Sequence, residues 1–248
     1  MSFHDPASEL SSLNAQAHAR AVRVSRETWT VLRVARRLFL TSEGLFDVTV
    51  APQLVRWGYL PREPLTPRTR TGTMADVELR PSRTVRFARP LLIDLGGIAK
   101  GYAVDLAVRA LRRAGVRRGS VNAGGDLRVF GPEAETVHVR HPRVPRACVP
   151  LVEMRDAAVA TSATYFSRRR VRGRFVSPIV HPSRRVPCRR TSTASVVAPT
   201  CIVADALTKI VLLAGEAGFP LVRRFSASAI IITRQGRIIS SEPLPRAA

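Results

Sequence analysis

Two periodicities share this chain without alternating, and that constrains its fold more than any other feature of the 248 residues. From Glu27 to Leu40 the apolar residues Val31, Val34, Ala35 and Leu38 recur at helical spacing, and the run breaks at Ser42-Glu43-Gly44. A second helix is expected to open at Gly96-Gly97-Ile98-Ala99-Lys100-Gly101 and to run to about Ala114. Its residues Ala103, Leu106, Ala107, Ala110 and Leu111 share one face, and Gly115 stops it. Further helices are expected from about Ala204 to Ala214 and near Pro220 to Phe225. Short strands fall between and after them: Val77 to Leu79, Thr84 to Phe87, Leu91 to Asp94, Ser120 to Asn122 and Leu127 to Phe130. More are expected within the proline-punctuated stretch from Pro132 to Pro150, and a hairpin pairs Ala229 to Thr233 with Arg237 to Ser240. Pro61 to Thr73 reads as an exposed loop. Long helices mixed with antiparallel hairpins place the chain in the α+β class and argue against a doubly wound sheet.

Hydrophobic residues make up 45% of the chain, enough for one large domain or for two lobes sharing a core. With only 6% aromatics, that core must rest on Val, Leu, Ile and Ala. No apolar run approaches the roughly 18 to 20 residues that span a bilayer. Met1-Ser-Phe-His-Asp has neither the basic start nor the apolar stretch of a signal peptide, so the chain as written is expected to be soluble and to carry no export address. The net charge of +22 points at first to nucleic acid, anionic membranes or phosphorylated ligands. The arginines, however, are scattered in twos and threes, which favours a solvated basic surface over a nucleic-acid groove. Lysine is nearly absent: Lys100 and Lys209 stand against 38 arginines. Cys148, Cys188 and Cys201 form no C-x-x-C pair, so neither a disulfide framework nor a zinc site is indicated.

Three constellations carry chemistry. In Ile93-Asp94-Leu95-Gly96-Gly97-Ile98-Ala99-Lys100-Gly101, a strand ending in a carboxylate leads through a glycine turn to a helix start. Glycine lets backbone come close, the free N–H groups favour an anion, and Lys100 adds a point charge. The same segment also reads as an ordinary strand-turn-helix connection, and it lacks the G-x-G-x-x-G fingerprint. Asn122-Ala123-Gly124-Gly125-Asp126 alone reads best as a hairpin turn. In Ala204-Asp205-Ala206-Leu207-Thr208-Lys209, the carboxylate, hydroxyl and ammonium lie three and four apart and share a helix face. Asp205 with Thr208 could bind magnesium, while Asp205 with Lys209 could be a plain surface pair.

Taken together, "DLGGIAKGYAVD", "NAGGD" and "ADAL", in this order and separation, resemble the ApbE family of FAD:protein FMN transferases. "MSFHDPASELSSLN", "GLFDVTVAPQLVRWG" and "AVATSATYFSR" extend the resemblance over nearly the whole chain. It implies an ApbE-like α+β fold in one domain, 1–248, with mixed, mostly antiparallel sheets and an FAD cleft between two lobes. It implies that FAD and magnesium are bound, and that the FMN half passes to a Thr or Ser hydroxyl of a target protein with release of AMP. Met1 and Leu45-Phe46-Asp47 match positions lining the flavin; Asp94, Lys100 and Ile179 match FAD contacts; Asn122 borders the same site. Gly97 matches a position giving its carbonyl to the metal, and Asp205 matches the metal-binding aspartate. The family is commonly exported to the bacterial envelope.

Three departures are visible. The hydroxyl ligand four residues after the aspartate is Lys209 here, with Thr208 one residue earlier. The family's "HIIDP" reads Pro178-Ile179-Val180-His181-Pro182, so a catalytic histidine and an acid are replaced, and His181 is the candidate to recover acid–base function. Met1 matches a position that an initial strand and helix precede in the family. Lys209 is expected to bring an ammonium near the pyrophosphate. The alternatives are a flavin-binding paralogue of low activity and, more remotely, a basic nucleic-acid-binding protein.

Overall fold

The computed structural model describes residues 1–62, 71–140, 148–164, 167–190 and 192–242, giving only backbone for 138–140 and 148–152. The chain divides into two compact units, Met1–Ala99 with Arg168–Cys188, and Lys100–Ser167 with Arg189–Ala248.

In the first unit, helix α1 (Glu9–Gln16) starts at Ser8 and helix α2 (Arg26–Thr41) at Ser25, each cap hydroxyl accepting an N–H three residues on. Helix α2 buries Val31, Leu32, Ala35 and Leu38; of the stripe expected from its spacing, Val34 is only half-buried and Leu32 is buried in addition. A short helix, α3 (Ala51–Arg56), follows. Strands β1 (Val22–Arg23), β2 (Val77–Arg80) and β3 (Thr84–Phe87) form an antiparallel sheet in the order β1-β3-β2. The expected strand from Leu91 to Asp94 is not one. Its backbone is satisfied by a side chain instead: Asn14 Nδ2 donates to Ile93 O at 3.0 Å and Asn14 Oδ1 accepts from Ile93 N at 2.9 Å. The Asp94 N–H completes the fit on Val48 O at 2.8 Å, so these groups have no strand partner to seek. Two small hairpins, Arg169–Val171 with Arg174–Val176 and Val180–His181 with Val186–Pro187, belong to the same unit. Most of the expected loop from Pro61 to Thr73 lies outside the described residues.

The second unit begins within helix α4 (Ala99–Arg113) and adds strands β4 (Gly119–Ala123), β5 (Asp126–Phe130), β6 (Glu135–Arg140), β7 (Cys148–Met154) and β8 (Ala158–Ala163). Strand β9 (Ser192–Ala198), helices α5 (Cys201–Ala214) and α6 (Phe219–Arg223), and strands β10 (Ser228–Thr233) and β11 (Ile238–Ser240) complete it. Six strands form one antiparallel sheet in the order β11-β10-β9-β8-β5-β4, while β6 and β7 pair with each other. Helix α5 packs on β8 and β9 and is apolar nearly all round, burying Ile202, Leu207, Ile210, Val211 and Leu212. Strand β9, Ser-Thr-Ala-Ser-Val-Val-Ala, is buried on both faces at the middle of the sheet. Small and hydroxylic residues conceal it in the sequence, because its packing rather than its composition makes it a strand. Among the described residues no helix is long and apolar enough to cross a membrane.

Candidate active site

Two helix starts meet in the second unit, and glycine makes the meeting possible. A Cβ on Gly101 would fall 2.3 Å from Cys201 O and 2.9 Å from Asp205 Cβ, so no other residue fits where α4 crosses α5. The Gly101 N–H uses the close approach to donate to Asp205 Oδ2 at 3.1 Å. Thr200, at the N-cap of α5, makes no side-chain cap. The cap comes from α4: Asp105 accepts from Cys201 N and Ile202 N, each at 3.0 Å, and pairs with Arg128. This borrowed cap satisfies orphan N–H groups that the local sequence leaves open, and α5 starts at Cys201 instead of the expected Ala204.

Around that junction stand both lysines of the chain. Lys209, one turn after Asp205 on α5, lays its ammonium on Asp205 Oδ1 and donates to Asp205 O at 2.9 Å. The Asp205 side chain is 1% exposed and that of Lys209 18%. Lys100, in the first turn of α4, holds its ammonium 3.2 Å from Oδ2 of Asp126, the first residue of β5. Asp126 is as buried as Asp205, yet its Oδ2 has only that ammonium and no backbone N–H. Burial foremost, and then the negative charge of Asp205, push the Asp126 carboxyl up to about 6 against the pull of Lys100 and Lys209. Cys201, buried among the aspartates, has its thiol pushed far up by burial and by their charge, which makes it an inert packing residue.

Other expected residues of this unit play quieter parts here. Asn122 Oδ1 accepts from Gly125 N at 3.0 Å, closing the β4–β5 hairpin, whose Gly124 and Gly125 have φ of +61° and +98°. Thr208 is fully buried; its hydroxyl donates to Asp205 O at 2.7 Å and lies 2.8 Å from Ser162 Oγ.

The first unit carries the remaining expected residues. Asp47 is buried and caps a single 3-10 turn: Oδ1 accepts from Thr49 N at 2.8 Å and Oδ2 from Met74 N at 3.4 Å. Burial raises its carboxyl against those bonds. Phe46 is buried beside it, while Met1 and Leu45 are half-buried. Arg185 Nη1 and Nη2 donate to Thr49 O at 2.9 Å and Gly72 O at 2.7 Å, bracing the same turn. Asp94, raised by burial, accepts from Gly96 N at 3.2 Å, and Gly97 follows in the turn before α4. Ile179 is half-buried, and its carbonyl accepts from Cys188 N at 2.7 Å. His181 Nδ1 lies 3.3 Å from Ser183 Oγ, and burial together with the Arg184 charge lowers its pKa.

Asp126 and Asp105 are the residues that the sequence reading passed over. "NAGGD" placed Asp126 at a hairpin, where a terminal Asp commonly serves the turn; only its complete burial shows otherwise. Asp105 lay inside a recognised segment, but its partners come from α5 and β5, which local spacing does not reveal.

With this geometry in place, comparison with known proteins is direct. The sequence model of the ApbE family matches residues 1–231. The chain is 29% identical over 231 residues to the FAD:protein FMN transferase of Vibrio cholerae, taking in 87% of this chain and 69% of that one. It is 31% identical to the FAD:protein FMN transferase of Rhodobacter capsulatus, over 94% of this chain and 48% of that one. The crystal structure of the ApbE protein of Thermotoga maritima superposes with a TM-score of 0.83 at 31% identity, over 97% of this chain and 84% of that one. The flavin transferase ApbE of Vibrio cholerae, solved as a mutant, gives 0.81 at 28% identity over 98% and 83%. The architecture is therefore that of the flavin-transferase α+β fold. The chain belongs to the ApbE family.

Proposed function

We propose that this protein transfers the FMN half of FAD to a Thr or Ser hydroxyl of a target protein. The family match over residues 1–231 carries that reading, and the paired lysines supply chemistry suited to a pyrophosphate. The acceptor oxygen attacks the phosphorus of the FMN half. A new P–O bond forms, the P–O bond of the pyrophosphate bridge breaks, AMP leaves with the bridging oxygen, and the hydroxyl proton passes by way of His181 to solvent. Phosphoryl transfer of this kind needs positioned groups and positive charge more than a covalent enzyme intermediate. Lys100, in the first turn of α4, meets the pyrophosphate, with Asn122 bordering it. Met1, Leu45, Phe46, Asp94 and Ile179 contact FAD, and Asp47 acts through its turn by holding Leu45 and Phe46 in place. His181 is the candidate proton carrier, since its lowered pKa leaves it neutral near pH 7.

Magnesium, held by Asp205, Thr208 and the Gly97 carbonyl, is the family expectation, and the side chains present do not fit it. Both Asp205 oxygens are engaged, one by an ammonium. The Thr208 hydroxyl is spent on Asp205 O and Ser162. Among the described residues no three His, Cys, Asp or Glu side chains gather where they could hold a metal. No step is therefore assigned to a metal here.

The test is AMP release when the protein meets FAD and an acceptor bearing a flavinylation Thr or Ser, with fluorescence on the acceptor as the second readout. AMP with a fluorescent acceptor supports the transferase. Tight FAD binding without AMP favours the second reading, a flavin binder, for which the replacement of the family's histidine by Pro178 is the specific observation.

A further inference from the structure

Resting on the proposed reading of the substrate, we infer that Lys209 is a built-in cation, holding the diphosphate of a dinucleotide in place of a divalent metal. Composition gives the first argument. In a chain with 38 arginines, the two remaining ammonium groups both stand on buried aspartates of one unit. A compact ammonium with three donors fits where a planar guanidinium does not. Lys209 spends two donors on Asp205 Oδ1 and Asp205 O, which fixes the charge against Asp205 and leaves one N–H for a ligand.

Geometry gives the second. A metal ligand must face the ion without a competing positive charge, and Asp205 does not: the Lys209 ammonium sits on Oδ1 and repels a cation, while the Gly101 N–H takes one lone pair of Oδ2. The third is the carboxylate next door. Asp126 is 1% exposed, its Oδ2 meets the Lys100 ammonium and no backbone N–H, and it lies within electrostatic reach of Lys209 and Asp205. That buried carboxylate holds the Lys100 ammonium over the first turn of α4. The pair of lysines thus presents two fixed positive charges, one at the start of α4 and one midway along α5. Binding a diphosphate there requires no ion from solution.

The experiment is FAD binding by the full chain, followed by flavin fluorescence, in EDTA and in magnesium. Wild-type protein is expected to bind equally in the two buffers. Lys209→Met is expected to weaken binding by about tenfold in both, the loss of one charged hydrogen bond. Lys209→Thr is expected to weaken binding in EDTA and to regain it with magnesium. Manganese titration by electron paramagnetic resonance gives a readout independent of flavin: the threonine variant takes up the ion and the wild type leaves it free. Wild-type binding that collapses in EDTA, or stoichiometric manganese uptake by the wild type, overturns the inference alone. A folded wild-type chain that binds FAD in neither buffer overturns it together with the transferase reading.

Discussion

Asp105 and Asp126 are buried carboxylates of the same unit, one on α4 and one at the start of β5, and they are treated in opposite ways. Asp105 is saturated: two backbone N–H groups and a guanidinium meet it, and through it the first turn of α5 is tied to α4. Asp126 is left short, with a half-exposed ammonium and no backbone N–H on its Oδ2. A saturated carboxylate builds the scaffold. A deprived one stores an electrostatic cost that folding alone does not explain, and that is the mark of a site.

The contrast can be broken by substitution. Asp105→Ala removes the cap of α5 and strands Arg128, whose side chain is 13% exposed, so a loss of about 4 kcal/mol is expected by chemical denaturation. A loss below about 1 kcal/mol there would contradict the scaffold role. Gly101→Ala sets a methyl 2.3 Å from Cys201 O and 2.7 Å from Cys201 C and is expected to cost about 3 kcal/mol, because those two atoms are backbone and cannot swing aside.

Asp126→Asn should have the opposite sign at neutral pH. The folded chain keeps the Asp126 proton up to about pH 6 while the unfolded chain releases it near 3.8, so the folded state binds more protons between these values. Stability from this group therefore declines as pH rises through 4 to 6 and is level above. The asparagine variant, lacking the group, is expected to gain about 2 kcal/mol on wild type across that window, read as the difference in unfolding free energy at pH 4 and pH 7.5. A difference independent of pH would place Asp126 with Asp105. The smallest effect belongs to the first unit: Asp47→Ala loses the cap on Thr49 and is expected to cost about 1 kcal/mol in thermal unfolding.

The same contrast shows what the sequence could disclose. The span of helix α2, the span of helix α4 with its stop at Gly115, and the β4–β5 hairpin were legible because their spacing and turn residues are local. The face expected on α4 is not the buried one: Ala103, Ala110 and Leu111 are exposed, and Tyr102, Val104 and Val108 are buried instead. Strand β9 was not, since Ser-Thr-Ala-Ser-Val-Val-Ala becomes a strand only through its neighbours in the sheet. Leu91 to Asp94 looked like a strand because nothing local reveals that Asn14 satisfies Ile93. At the site, Asp205 and Lys209 were visible as an i,i+4 pair, and Lys100 as the cation of a glycine turn. Asp126 and Asp105 were hidden because burial and distant partners define them.

The central claim is that this chain moves FMN from FAD onto a protein. Mass spectrometry of an acceptor incubated with the protein and FAD tests it most directly. The account predicts an acceptor heavier by one FMN phosphoester, with one AMP for each addition. An acceptor of unchanged mass beside intact, bound FAD would contradict it.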